Sequence, residues 1–209
     1  MVELGEFSLD RMVSAVQKVR ERLERCTKAL NQNQVPYAVA GGCAVAAWVS
    51  RIDESAVRNT PDVDILIRRC DLENARAALE SVGFVYRHDD ELEMFLDGEN
   101  GKPREAIKIH FSGEYDKNAA VVCPDVSSSY DHKGFSLLHY EAIAEMELST
   151  NSIEGKVNVR DLIDIGLINS TSLLGFRLIE SDLVNGKTLG CFRSRFPPIR
   201  QHRLIGNFH

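Results

Sequence analysis

Asp62 and Asp64 stand one residue apart in "PDVDILI", a run that otherwise reads as a buried strand. Side chains alternate faces along a strand, so both carboxylates point one way while Val63, Ile65 and Ile67 point the other and anchor the strand in a core. Two carboxylates so close repel each other unless positive charge sits between them. Hard divalent cations such as Mg²⁺ take oxygen ligands of this kind. Taken alone, the pair also fits a solvated face neutralised by Arg58 or Arg68.

A second feature narrows the chemistry. Gly41 and Gly42 follow the apolar run Tyr37 to Ala40 and precede an alanine-rich segment. A strand that delivers two glycines to the first turn of a helix exposes backbone N–H groups at a positive dipole end, with no Cβ to hold a phosphate away. Glycine serves a tight turn or close helix packing equally well. A phosphate cradle, an intervening arginine and a metal-binding Asp-x-Asp together make the parts of a phosphoryl or nucleotidyl transfer site.

These residues need elements to hold them. Met12, Val16, Val19, Leu23, Cys26 and Leu30 recur at four- and three-residue spacing, which predicts an amphipathic opening helix that packs on the body, with Ser8 as N-cap and Asp10 in the first turn. Pro36 ends that pattern. A short strand over Tyr37 to Ala40 then leads through the glycines into a helix over Cys43 to Ser50. The aspartate strand spans Val63 to Ile67, and a helix with Leu72, Ala75, Leu79 and Val82 on one face follows, closed by Gly83. Phe84 to Tyr86, Leu92 to Leu96 and Ala106 to Phe111 read as strands, the last two forming a hairpin across the turn-rich "DGENGKP". From Gly113 to about Lys133 there is no clear period, which predicts mostly loop. Helical patterns resume in "SLLHYEAIAEMELS" and "NVRDLIDIGLI".

The composition suits one globular domain with a small appendage: 209 residues, 44% hydrophobic and 27% charged. No apolar run approaches the roughly 20 residues that span a bilayer, and the N-terminus lacks the pattern of a secretory signal. Five scattered cysteines, never arranged as C-x-x-C, favour reduced thiols packed as small hydrophobes and a cytoplasmic setting over a disulfide frame or zinc site. Lys187, Arg193, Arg195, Arg200 and Arg203 fall in a tail without acidic residues, leaving 20 basic against 31 acidic side chains before it, a balance of −11. A body of that charge repels a long nucleic acid strand and suits small-molecule or protein partners. We expect residues 1–185 to form the domain and 186–209 a loosely packed basic tail.

"VAGGCAVAAW" followed by "RNTPDVDILI" resembles the signature of the DNA polymerase β-type nucleotidyltransferase superfamily, and most of all its small bacterial predicted nucleotidyltransferases. "HFSGE", "PDVSSS" and "VRDLIDIGLI" resemble that subgroup too, so the likeness runs from about Val35 to Ile168. It implies an α+β fold, a mixed short-stranded sheet with packed helices and a small C-terminal helical extension. It also implies that Gly41 and Gly42 hold the triphosphate of a nucleotide such as ATP, with Arg58 and Thr60 beside the phosphates. Asp62 and Asp64 would hold two Mg²⁺ ions, or Mn²⁺ in their place. The implied reaction is metal-dependent transfer of a nucleoside monophosphate from a nucleoside triphosphate to a hydroxyl of a small-molecule or protein acceptor.

The chain departs from that pattern at the third carboxylate. The strand "AIKIHF" carries His110 where the family has an aspartate, with Lys108 on the same face. Histidine can accept a proton but is a softer ligand than Mg²⁺ prefers. Glu105 and Glu114 flank the strand, so the third role falls to His110 or Glu114. Glu147 stands where relatives carry lysine in a Met-Lys-Leu run, while Arg160 and Asp161 keep the family's Arg-Asp pair. The alternative reading is a nucleotide-binding or protein-interaction module of the same fold that has lost turnover.

Overall fold

The computed structural model describes residues 8–89, 92–117, 119–132 and 134–169. Its centre is a mixed sheet of seven strands among the described residues: β1 (Tyr37–Ala40), β2 (Val63–Ile67), β3 (Phe84–Asp89), β4 (Leu92–Asp97), β5 (Ile107–Phe111), β6 (Ser129–His132) and β7 (Phe135–Leu138). Their spatial order is β3-β4-β5-β2-β1-β7-β6. Among the described residues five α-helices pack on it: α1 (Leu9–Gln32), α2 (Gly41–Ser50), α3 (Leu72–Glu80), α4 (Tyr140–Ser149) and α5 (Ile153–Asp164). This is the α+β architecture expected from the sequence, with α4 and α5 as the C-terminal helical part. None of the described helices is long and apolar enough to cross a membrane.

The core forms where the strands run apolar on both faces. Val63, Ile65, Leu66 and Ile67 of β2 are fully buried, as are Ala38, Val39 and Ala40 of β1. These central strands are short because each is cut off by a chemical feature, the glycine pair after β1 and the aspartates at the start of β2. The expected hairpin is present: β4 runs antiparallel to β5, with Glu93 opposite Ile109 and Phe95 opposite Ile107.

Several expectations are corrected. The helix after the glycines begins at Gly41, not Cys43, so both glycines belong to its first turn. The stretch Gly113 to Lys133, expected as mostly loop, is irregular for most of its described length but ends in β6. The segment Ser136 to Leu138, expected as helix, belongs to β7, which pairs with β6 and runs parallel to β1 at Val39 and Leu137. Leu137 and Leu138 are fully buried in that sheet, and the pairing overrides a helical local pattern. The helix ahead of Gly83 ends at Glu80, and Gly83 follows in a turn with φ +90°. The opening helix packs only along its C-terminal half: Cys26, Ala29 and Leu30 are buried, whereas Met12, Val13 and Val16 are exposed. At 24 residues it is about 36 Å long and overhangs the short strands. Ser8 occupies its N-cap position without a side-chain bond. The expected domain boundary at 185 and the basic tail lie outside the described residues.

Trp48 links α2 to the far side of the fold. Its Nε1 donates to the Leu138 carbonyl at 2.9 Å, and its ring meets Tyr140 edge-on at 5.3 Å between centroids. Trp48→Ala should therefore cost about 3–5 kcal/mol in urea denaturation. Trp48→Phe should cost less, about 1–3 kcal/mol, mainly for the unmet carbonyl. Equal losses in the two variants would mean that the indole N–H, not ring packing, is the link.

Candidate functional site

Strand register builds the site. In the antiparallel pairing of β1 with β2, Ala40 lies opposite Asp64, so the chain turns into α2 directly over that carboxylate. Gly41 makes the turn at φ +58°, and a Cβ there would overlap the Asp64 side chain. Glycine is thus required twice, for its backbone angle and for the space it leaves. Gly42 has a different neighbour. A Cβ on it would meet Thr60 Cβ at 2.9 Å, so the space above Gly42 is filled by packing rather than left open for a phosphate.

β2 runs parallel to β5, with Asp64 beside Lys108 and Leu66 beside His110. Each cation on β5 then reaches diagonally back to one aspartate. Lys108 Nζ pairs with Asp62 Oδ2, and His110 Nε2 meets Asp64 Oδ1 at 3.0 Å. Thr60 Oγ1 donates to Asp62 Oδ1 at 2.6 Å. Asp62, the residue just before β2, is buried, with its side chain only 6% exposed. Burial alone would raise its carboxyl, but the bonds from Lys108 and Thr60 outweigh burial and hold it below the ordinary carboxylate range. Burial likewise opposes the charge on Lys108, and Asp62 and Asp64 together raise its ammonium above the usual lysine value.

His110 has a second partner that the sequence reading did not assign. Its Nδ1 lies 2.8 Å from Asp116 Oδ2, so the ring is clamped between two carboxylates. Burial disfavours the charged ring, yet the hydrogen bonds and charges of Asp116 and Asp64 prevail and push its pKa up to about 10. Free of metal, His110 is a cation at neutral pH rather than the neutral proton acceptor considered above. Asp116, held below its ordinary value by His110 despite burial, is a third carboxylate on the same cavity. It comes from the loop after β5, six residues beyond His110, where no periodicity marked it.

The other candidate, Glu114, is bound elsewhere. Arg69 grips it at 3.0 and 2.5 Å while stacking over Phe111, and it does not line the cavity. Glu105 pairs with the neighbouring Arg104. Arg58 does not face the cavity either: it bonds Asp161 Oδ2 at 2.9 Å and Asn158 Oδ1, tying the segment before β2 to α5. Asn158, itself buried, then donates to Glu147 Oε1 at 2.8 Å.

The resulting cavity, about 90 Å³, is lined by Gly41, Asp62, Asp64, Lys108, His110 and Asp116 from the sheet side. Met146, Glu147, Thr150, Ser152, Glu154 and Asn158 close it from α4 and α5. Of the eight residues singled out in the sequence, Gly41, Asp62, Asp64 and His110 meet in the cavity. Thr60 and Gly42 support them from behind, while Arg58 and Glu114 are engaged by other partners.

No protein-family model matches the chain, and no curated protein matches it in sequence. Solved structures do. The solution structure of the antibiotic-resistance factor ANT(2'')-Ia superposes with a TM-score of 0.57 at 12% identity, covering 82% of this chain and 93% of that one. A crystal structure of ANT(2'')-Ia in complex with adenylyl-2''-tobramycin gives a TM-score of 0.51 at 12% identity, over 81% of this chain and 98% of that one. At this level of identity the likeness shows the fold alone, a mixed α+β arrangement shared with ANT(2'')-Ia.

The Glu147 carboxyl is raised from 4.5 to about 7, chiefly by burial and against the bond from Asn158. An acid whose folded pKa lies above its unfolded one adds stability only while protonated. That contribution is complete below about pH 4.5 and disappears as pH rises through about 7. With chelator present, Glu147→Gln should match wild type near pH 4.5 and exceed it near pH 8 by up to about 3 kcal/mol in thermal or urea unfolding. Parallel pH profiles for the two proteins would contradict a buried, protonated Glu147.

Proposed function

We propose that the protein transfers a nucleoside monophosphate from a nucleoside triphosphate to a hydroxyl of a small-molecule acceptor, with Asp62 and Asp64 holding the divalent cation the reaction needs. The observation that carries this reading is the convergence of both carboxylates on the first turn of α2 at Gly41, inside one cavity. The solved complex of ANT(2'')-Ia with adenylyl-2''-tobramycin, in which a small molecule carries the adenylyl group, supports the choice of acceptor class. So does the cavity's charge, with Asp62, Asp64, Asp116 and Glu154 against Lys108 and His110, which disfavours a long nucleic acid.

The donor set fits Mg²⁺ or Mn²⁺. Asp62, Asp64 and Asp116 present hard oxygen ligands to one cavity, which has room for an ion with part of its water shell. A bound ion would supply charge neutralisation and Lewis acidity at the phosphate oxygens. The chain's own residues do the rest. The first turn of α2, whose N-cap Ala40 offers no side-chain bond, points its N–H groups and positive dipole end at the phosphates. Lys108, once released from Asp62, is placed to pair with a phosphate oxygen. Asp116 takes the third carboxylate's role in drawing the proton from the acceptor hydroxyl, and His110 positions it.

One observation favours the second reading, a binding module without turnover. Lys108 and His110 already pair with the aspartates, so Asp62 and Asp64 each have a cationic partner before any metal binds. The two readings separate on release of pyrophosphate from ATP and the other nucleoside triphosphates with a pool of hydroxylated small molecules. Release supports transfer, and metal-dependent binding without release supports the module.

Both readings require the aspartates to bind the metal and, through it, the triphosphate. Asp62→Asn combined with Asp64→Asn should abolish Mg²⁺-dependent triphosphate binding in calorimetry, a loss of at least about 100-fold, because the shape survives while the ligand charge is lost. Wild-type affinity in that variant would reject both readings.

A further inference from the structure

His110, Asp116 and Cys123 bring an imidazole nitrogen, a carboxylate oxygen and a thiol sulfur within 4.8 Å of one another. The cluster adjoins the cavity, but its chemistry is not that of the aspartate pair. Asp62 and Asp64 offer oxygen alone. A mixed N/O/S set suits a borderline-soft ion that accepts tetrahedral geometry, above all Zn²⁺, and suits Mg²⁺ poorly.

We infer that His110, Asp116 and Cys123 form a Zn²⁺ site that is open to one further ligand from the cavity and coupled to the aspartate pair through His110. The site is built before any ion arrives. Glu114 and Cys123 face each other across a backbone bond from Cys123 N to Glu114 O at 2.7 Å, and Gly113 N donates back to Cys123 O at 2.9 Å. A bridge between Tyr115 and Val122 closes the same loop. These bonds hold Asp116 and Cys123 on adjacent arms of a tight loop, beside the end of β5 that carries His110. Cys123 is 3% exposed, which shields its sulfur from bulk solvent, while His110 and Asp116 still line the cavity through which an ion can enter.

The orientation of the imidazole is a second, independent observation. Nδ1 faces Asp116, a member of the cluster, at 2.8 Å, and Nε2 faces Asp64 Oδ1 at 3.0 Å. Metal-binding histidines characteristically donate their far N–H to a carboxylate, which fixes the tautomer and makes the ligating nitrogen more basic. Asp64 already occupies that position. Burial keeps the Cys123 thiol protonated in the metal-free protein, and the thiol gives up its proton on coordination, as thiols bound to metals do. A Zn²⁺ ion here would hold His110 neutral and keep its Nε2–H on Asp64. Occupancy of this site therefore competes with any use of Asp64 Oδ1 as a ligand for the harder ion and with the role proposed above for Asp116, so Zn²⁺ bound here would oppose transfer. The inference stands without nucleotidyl transfer, since it concerns only the binding of an ion.

The test uses the full-length protein, stripped with chelator and titrated with Co²⁺ as a spectroscopic substitute, then with Zn²⁺ against a chromophoric chelator. Wild type should develop a thiolate-to-metal charge-transfer band with one equivalent of Co²⁺, together with the strong visible bands of a four-coordinate ion. Cys123→Ala should lose the charge-transfer band and weaken Zn²⁺ binding at least about 100-fold, whereas Cys70→Ala, at an exposed thiol, should keep both. Asp64→Asn should retain the band and weaken Zn²⁺ by about 10-fold, as loss of an outer-shell carboxylate does. Should Cys123→Ala fail to fold, Asp116→Asn decides, since its side chain is partly exposed and its loss should cost the ion a ligand. No charge-transfer band in wild type, or a band and affinity unchanged in Cys123→Ala or Asp116→Asn, overturns the site.

Discussion

Two carboxylates on neighbouring positions of one buried strand end need positive charge close by, and the architecture around the cavity follows from that need. Leaving either charge unpaired in the interior would cost about 3–5 kcal/mol, a large part of a domain's stability. The parallel register of β2 with β5 answers it by setting Lys108 and His110 one step along from the aspartates they bind. The antiparallel register of β1 with β2 brings the opening of α2 over Asp64, which is possible only because Gly41 lacks a Cβ. Thr60, packed on Gly42, fixes the remaining oxygen of Asp62. Moving any one of these strands by a residue would turn the aspartates or their partners to the opposite face.

The same charges prepare the site for exchange. A cavity closed by internal ion pairs is stable without a ligand, yet each pair can open when a stronger cation or a phosphate takes its place. Lys108, 29% exposed, can exchange its carboxylate for an anion without leaving the cavity, whereas Asp62 at 6% has little freedom to move. In the proposed reaction the rigid partner would hold the ion and the mobile partner would adapt. On the opposite wall, the chain Asp161–Arg58–Asn158–Glu147 joins α5 to the segment before β2 and holds the two halves of the cavity at a set distance. The arginine expected to touch phosphate is spent on that structural link.

Much of this was legible because local signals and tertiary roles agree. Pro36, the glycine pair and the alternation of "VDILI" marked β1, α2 and β2, and "DGENGKP" marked the turn between β4 and β5. The misses share a cause: the decisive partner is distant in sequence. Ser136 to Leu138 has leucines in a helical context, and only its position beside β1, about a hundred residues earlier, makes it a strand. Arg58 meets partners 100 and 103 residues away. Asp116 lies in a loop without periodicity, and its importance comes from the reach of His110. Glu114, nearer to the expected position, is captured by Arg69. The charge state of His110 was also hidden, since a neutral ring is the ordinary expectation at pH 7 and two carboxylates reverse it.

The central claim is that Asp62 and Asp64 give up their internal cations to a divalent metal at the mouth of α2. Paramagnetic broadening by Mn²⁺, read on amide signals of the ¹⁵N-labelled protein with a nucleoside triphosphate present, tests it most directly. The account predicts that Gly41, Asp62, Asp64 and His110 broaden first and together, and that Mg²⁺ reverses the effect by competition. Broadening centred elsewhere, or none at Gly41 and Asp64 at saturating Mn²⁺, would contradict it.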